Sequence, residues 1–205
     1  MISGIILGAG ASRRMGVPKQ TIELAGKTML ERVLDVFEAS SLDEVVLVVS
    51  PALERKVRMR PRTRVAINTR AGEGISTSVR VGIDALDPRS NAVLIGLADK
   101  PLLRKSTIES LLSARRRTRA DIVIPVFQRK RGNPILFRRR LFRDLRRLKG
   151  DAGAKVLIES RRYSVAEVTV NDSGILLDID TPGDLRMARK ILRARSALRK
   201  RKARK

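Results

Sequence analysis

Thirteen residues near the N-terminus concentrate small and cationic side chains. They run Leu7, Gly8, Ala9, Gly10, Ala11, Ser12, Arg13, Arg14, Met15, Gly16, Val17, Pro18, Lys19. Gly8, Ala9 and Gly10 let a ligand approach backbone N–H groups, because no large Cβ substituent intervenes. Successive N–H groups in such a loop cradle anionic oxygens, and Arg13, Arg14 and Lys19 add full positive charge beyond it. The chemistry this set suits is the binding of a polyphosphate. Two familiar phosphate loops are excluded: a dinucleotide fingerprint needs glycine where Arg13 stands, and a Walker loop from Gly8 needs Gly-Lys-Ser/Thr where Arg13 and Arg14 stand. Gly26-Lys27-Thr28 fails too, since its first glycine would fall on Thr21. The plain alternative, a turn with solvated arginines, sits poorly with so dense a mix of small and basic residues.

A second small-residue loop, residues 71–78, reads Ala-Gly-Glu-Gly-Ile-Ser-Thr-Ser and feeds a helical pattern through Val79, Ile83 and Leu86. A helix N-terminus there favours anions, while the simpler reading is a connection capped by Ser76. Asp99 follows the apolar run 91–97, at what would be the carboxyl end of a buried strand, where open α/β sheets bind ligands. Mg²⁺ takes oxygen donors together with substrate phosphates, so Asp99 is a candidate ligand. Its alternatives are to cap the next helix or to pair with Lys100.

The elements that must position these residues follow from periodicity. Apolar runs at 2–7, 45–49 and 91–97 read as buried strands, the second covered on both faces, and 65–67 and 121–124 as further strands. Thr28 with Glu31 forms a capping box, and Met29, Leu30, Val33, Leu34 and Phe37 share one helix face. Further helices are expected at 52–60, 75–86, 106–117 and 138–148, with another opening near Lys155. An extended segment at 133–137 and a half-buried strand at 163–170 follow. Thr181 and Pro182 open the last helix. Strand–helix alternation over the first 125 residues predicts one three-layer α/β/α domain with a mostly parallel sheet. That domain spans residues 1–192. A basic tail, 193–205, lacks a core-facing stripe and is expected to be frayed and exposed.

Composition narrows the function. The net charge is +24, with no cysteine or histidine. Disulfides, zinc-thiolate sites and the commonest general base are therefore absent. A basic nucleic-acid-binding protein is the reading that charge alone suggests. One Tyr, four Phe and no Trp offer few stacking platforms for bases, which makes nucleic acid an unlikely partner. No apolar run is long enough for a membrane span, and no basic segment precedes an apolar stretch at the N-terminus. A cytoplasmic protein without a membrane partner is expected.

Together these segments resemble the MobA-like nucleotidyltransferases, and among them the molybdenum cofactor cytidylyltransferases. The motif Leu-x-x-Gly-x-Ser-x-Arg-Met-Gly-x-x-Lys stands here as Leu7, Gly10, Ser12, Arg14, Met15, Gly16 and Lys19. Gly74-x-Ser76-x-Ser78, Asp99 with Pro101, the run from Arg131 to Phe137, the run from Gly150 to Lys155 and the run from Asp178 to Leu185 match as well. The resemblance implies a Rossmann-like nucleotidyltransferase fold. It implies NTP binding by Leu7, Gly8, Ala9, Gly10, Ser12, Arg14, Lys19, Ser76 and Ser78, with Arg14, Lys19 and Asp99 catalytic. Asp99 and Asp180 would hold Mg²⁺, with Asp178 an alternative to Asp180. The acceptor would be molybdopterin and a target molybdoenzyme a further partner. A guanylyltransferase, or another small-molecule nucleotidyltransferase of the same fold, is the alternative. Two departures matter. Lys100 stands where the cytidylyltransferase form carries Gln, which puts a cation beside the metal position, and Gly8 stands where the family usually has alanine. Ala9, as in CTP users, points to CTP rather than GTP.

Overall fold

The computed structural model describes residues 1–10, 18–58 and 60–202 of the chain; Ser12 and Arg14, both expected in the nucleotide site, lie outside them. In chain order the elements are β1 (Ile2–Leu7), a hairpin of β2 (Glu23–Leu24) and β3 (Lys27–Thr28), α1 (Met29–Glu38), β4 (Glu44–Val49), α2 (Pro51–Glu54), β5 (Thr63–Ile67) and α3 (Ile75–Asp84). The second half adds β6 (Ala92–Leu97), α4 (Lys105–Arg117), β7 (Ile122–Phe127), β8 (Lys130–Arg131), β9 (Ile135–Arg138), α5 (Phe142–Arg146), α6 (Lys155–Glu159), β10 (Val165–Thr169) and α7 (Pro182–Lys202).

The strands pair into one sheet of order β10-β7-β9-β6-β1-β4-β5, with β8 on β7; the central strands are buried, while the edge strands β5 and β10 are half-exposed. Strands β5, β4, β1 and β6 are mutually parallel, as are β7 and β10. β9 enters antiparallel between β6 and β7. From β1 the chain winds outward through β4 to β5, then returns to place β6 on the other side of β1. The winding therefore reverses between β1 and β6, which opens a crevice at their carboxyl ends.

Alternation along the central strands feeds two apolar layers. Ile6, Leu47 and Leu94 face Leu34 and Phe37 of α1 and Leu111 of α4. Ile5, Val46 and Ile95 face Val79 and Ile83 of α3, with Leu145 and Ile158 beyond. The expected three-layer α/β/α arrangement results. α1 starts at a complete capping box, with Thr28 Oγ1 accepting from Glu31 N at 3.1 Å and Glu31 Oε2 from Thr28 N at 2.8 Å. Its Phe37 ring is fully buried and lies over two glycines. A Cβ on Gly4 would fall 2.9 Å from the ring, and one on Gly96 2.5 Å from it. Glycine inside β1 and β6 is thus what lets α1 approach the sheet.

Three segments differ from expectation. Among the described residues of the stretch 52–60 only 52–54, the last three of α2, are helical. The basic stretch 138–148 divides into strand end, a tight turn at Arg139–Leu141 and the five-residue α5, because Arg138 and Arg139 spend their guanidinium donors on distant backbone carbonyls. α7 runs through residue 192 to Lys202. Arg195, expected in an exposed end, instead donates to Leu102 O at 2.6 Å and lies 3.5 Å from buried Asp172. No helix among the described residues is long and apolar enough to cross a membrane.

The packing of Phe37 against glycine predicts the effect of a single methyl. Gly96→Ala should lower unfolding free energy by about 1–3 kcal/mol through overpacking, measured by denaturant melts. Phe37→Leu in the same chain should return part of that loss, and an unchanged midpoint for Gly96→Ala alone would contradict the close approach.

Candidate functional site

The loop after β1 begins inside the sheet. Gly8 N donates to Val48 O at 2.8 Å and Ala98 N to Leu7 O at 3.0 Å, so Gly8 is still bonded to β4 while Leu7 holds the residue beyond β6. A Cβ there would press to 3.3 Å on Val48 O. Ala9 is buried with the α3-side apolar layer, whereas Gly10 is exposed, with no described residue within 4 Å of its Cβ position. Gln20 fixes both glycines. The residue is 3% exposed, and Nε2 donates to Gly8 O and Gly10 O at 3.0 Å each. Sequence reasoning missed Gln20; its adjacency to Lys19 was the one available signal.

Lys19 occupies the short turn Lys19–Thr21 beside this loop. Its Nζ lies 2.7 Å from Asp99 Oδ2 and 2.7 Å from Asp180 Oδ1. Asp99 comes from the turn beyond β6. Asp180 lies two residues before the first residue of α7, whose start is held by Thr181 N donating to Asp184 Oδ2 at 2.9 Å and Asp184 N to Thr181 Oγ1 at 3.2 Å. Between them Ile179 is buried against Leu24 and Met29, and its N–H donates to Asp99 O at 3.3 Å. Burial opposes the charged form of Lys19, but Asp99 and Asp180 outweigh it and hold the ammonium above its ordinary pKa. Asp99 Oδ1 is buried and accepts no hydrogen bond from a described residue. Asp178 faces elsewhere: its Oδ1 is 2.7 Å from Lys100 Nζ, with the Lys100 side chain 4% exposed and that of Asp178 47%. Among the described residues no cluster of three or more acidic, His or Cys side chains is arranged to hold a metal; Asp99 and Asp180 are two.

The second loop borders the same crevice. Gly74 has φ of 112° and backs onto Gly150 so closely that no side chain fits. Ser76 N donates to Gly150 O at 3.1 Å. Ser76 and Ser78 are both buried. Asn68, unremarked in the sequence, donates from Nδ2 to Thr77 Oγ1 at 2.8 Å and to Ser78 Oγ at 2.9 Å. It thereby joins the end of β5 to the first turn of α3. Leu7, Leu97 and Ile75 line an adjoining cavity of about 240 Å³, with Arg131, Asn133 and Lys155 also in its wall. A glycine loop, a lysine and two carboxylates thus meet where the sheet changes winding. Such a set accepts phosphate oxygens on one side and a cation on the other.

The chain matches the model of the MobA-like NTP transferase domain over residues 4–167. Nicotine blue oxidoreductase of Paenarthrobacter nicotinovorans is 28% identical over 191 residues, covering 88% of this chain and 92% of that protein. A probable molybdenum cofactor guanylyltransferase of Natranaerobius thermophilus is 25% identical over 202 residues, covering 93% and 96%. Rv0371c from Mycobacterium tuberculosis H37Rv, in its complex with manganese, is 28% identical and superposes with a TM-score of 0.80 over 92% of this chain and 98% of that one.

The Lys100–Asp178 pair predicts an asymmetry. Lys100→Met removes a buried charge and leaves half-exposed Asp178 to water, so stability should stay within about 1 kcal/mol of wild type. Asp178→Ala strands a buried ammonium and should cost about 3 kcal/mol. Denaturant melts giving equal losses would contradict the burial of Lys100.

Proposed function

Since the chain belongs to the MobA-like NTP transferase family, we propose that it transfers a nucleotidyl group from an NTP, CTP first, to the terminal phosphate of a molybdopterin-type acceptor and releases pyrophosphate. The observation that carries this reading is Lys19, bonded to both Asp99 and Asp180 beside the glycine loop at the winding reversal.

The chemistry asks little covalent help of the protein. A terminal phosphate is largely ionised near neutral pH, so its oxygen attacks the α-phosphorus without a histidine base. A new P–O bond forms as the bond from the α-phosphorus to the bridging oxygen breaks, and pyrophosphate departs with the electron pair. The chain contributes positioning and charge. Backbone N–H groups of Ala9 and Gly10, with the close approach that Gly8 allows and with Leu7, Ser12, Ser76 and Ser78, hold the nucleotide. Arg14 and Lys19 offset charge on the departing pyrophosphate.

Asp99 and Asp180 would hold a divalent cation, Mg²⁺ in this reading. The buried Asp99 Oδ1, without a donor among the described residues, suits an oxygen-seeking ion that binds through one or two carboxylates plus substrate phosphates. When bound, the ion neutralises charge on the phosphate oxygens. That Rv0371c forms a complex with manganese supports the use of a divalent cation. The guanylyltransferase relative favours a second reading with GTP, while Ala9 favours CTP.

Two measurements test this. Asp99→Asn should reduce kcat by about 10²-fold or more while the melting temperature is unchanged; near wild-type turnover at low Mg²⁺ would refute the cation role. With Mg²⁺ and molybdopterin, pyrophosphate release should be faster from CTP than from GTP, and Ala9→Gly should shift preference toward GTP. A wild-type protein that selects GTP would overturn the CTP assignment, and no release with molybdopterin would overturn the acceptor.

A further inference from the structure

Two carboxylates brought together at a crevice repel unless something positive lies between them, and here that is Lys19. Its Nζ is 2.7 Å from Asp99 Oδ2 and 2.7 Å from Asp180 Oδ1, and its side chain is only 15% exposed. Two of the three ammonium donors are thereby committed to the pair. A divalent ion bound through those same two oxygens sits at about 2.0–2.1 Å from each, which is the space the ammonium fills. Its charge would also lie against that of Lys19 with little water between them. Lysine and divalent cation therefore compete for one place.

The backbone around Lys19 is not free to withdraw. Gln20, the next residue, is clamped to Gly8 O and Gly10 O, and Lys19 O accepts from Ile22 N at 3.1 Å. Only the side chain can turn, and the loop to which its turn is bonded is the loop read above as holding phosphates. We propose that Lys19 is the resident counter-ion of the Asp99–Asp180 pair and yields that place to a divalent cation when an NTP arrives whose phosphates accept the ammonium in exchange. The inference rests on the reading of Asp99 and Asp180 as the cation site. It adds that the nucleotide-free protein is guarded against divalent ions. It also adds that nucleotide and metal strengthen each other's binding by the same factor, as linkage requires.

The test is Mn²⁺ binding to the intact, nucleotide-free protein, followed by electron paramagnetic resonance of the free ion. Lys19→Met and Lys19→Gln should each bind Mn²⁺ at least about tenfold more tightly than wild type, and adding Asp99→Asn should cancel the gain. Two variants are used so that a folding defect in one, seen by circular dichroism, leaves the other to decide. Lys100→Met is the control for bulk charge. It removes an equal charge one residue from Asp99 but from a lysine bonded to Asp178, and should change Mn²⁺ affinity less than about threefold. Affinity unchanged in both Lys19 variants, or raised equally by Lys100→Met, would overturn the exchange while leaving the cation site in place. Mn²⁺ binding that ignores Asp99→Asn in every background would instead overturn the cation site, and the exchange with it.

Discussion

The bridging of Asp99 and Asp180 by Lys19 is the contact on which the rest of the crevice depends. Its partners stand 80 and 161 residues from Lys19 in the chain, so three separate segments must arrive together. Each arrives by a different device. The segment with Lys19 is held by Gln20 on the glycine carbonyls. Asp99 is delivered by β6, the strand beside β1. Asp180 is set by buried Ile179 on one side and the cap of α7 on the other. Loss of Lys19 would leave two carboxylates facing each other with poor compensation, whereas loss of either carboxylate would leave the ammonium its other partner.

A second polar node supports the first from behind. Asp172 is 1% exposed and accepts from Arg104 N at 2.8 Å, Thr107 Oγ1 at 2.8 Å and Gly174 N at 3.0 Å. Arg195 of α7 reaches both this carboxylate and Leu102 O. The node ties the last helix to the segment that follows Asp99, so α7 buttresses the site as well as covering Leu24 and Met29. Its energy is that of buried donors kept satisfied, each costly to strand.

Part of the basic content serves the chain itself. Arg138 donates to Ala120 O at 2.7 Å and Thr118 O at 2.6 Å. Arg139 donates to Pro88 O and Ser90 O at 2.6 Å each. These guanidinium groups satisfy chain carbonyls at strand and helix ends, a task that their five donors in fixed geometry suit. A count of basic residues therefore overstates how much charge is directed at a polyanion.

What the sequence alone determined is what short-range patterns control. The apolar runs predict the buried strands, Thr28 and Glu31 predict the start of α1, and the small residues before Lys19 predict a loop at the end of the first strand. Asp99 was legible as an acidic residue at a strand end. Only the tertiary structure decided which partners meet. β9 enters antiparallel between β6 and β7 although nothing in residues 133–138 says which strands will flank it. Asp180 rather than Asp178 meets Lys19, Lys100 takes Asp178, and Gln20, Asn68 and Arg195 find distant acceptors and hydroxyls. Periodicity and capping depend on neighbours three or four residues away, so they are written locally. The net worth of a buried polar contact depends on what lies opposite after folding, and no local pattern encodes that.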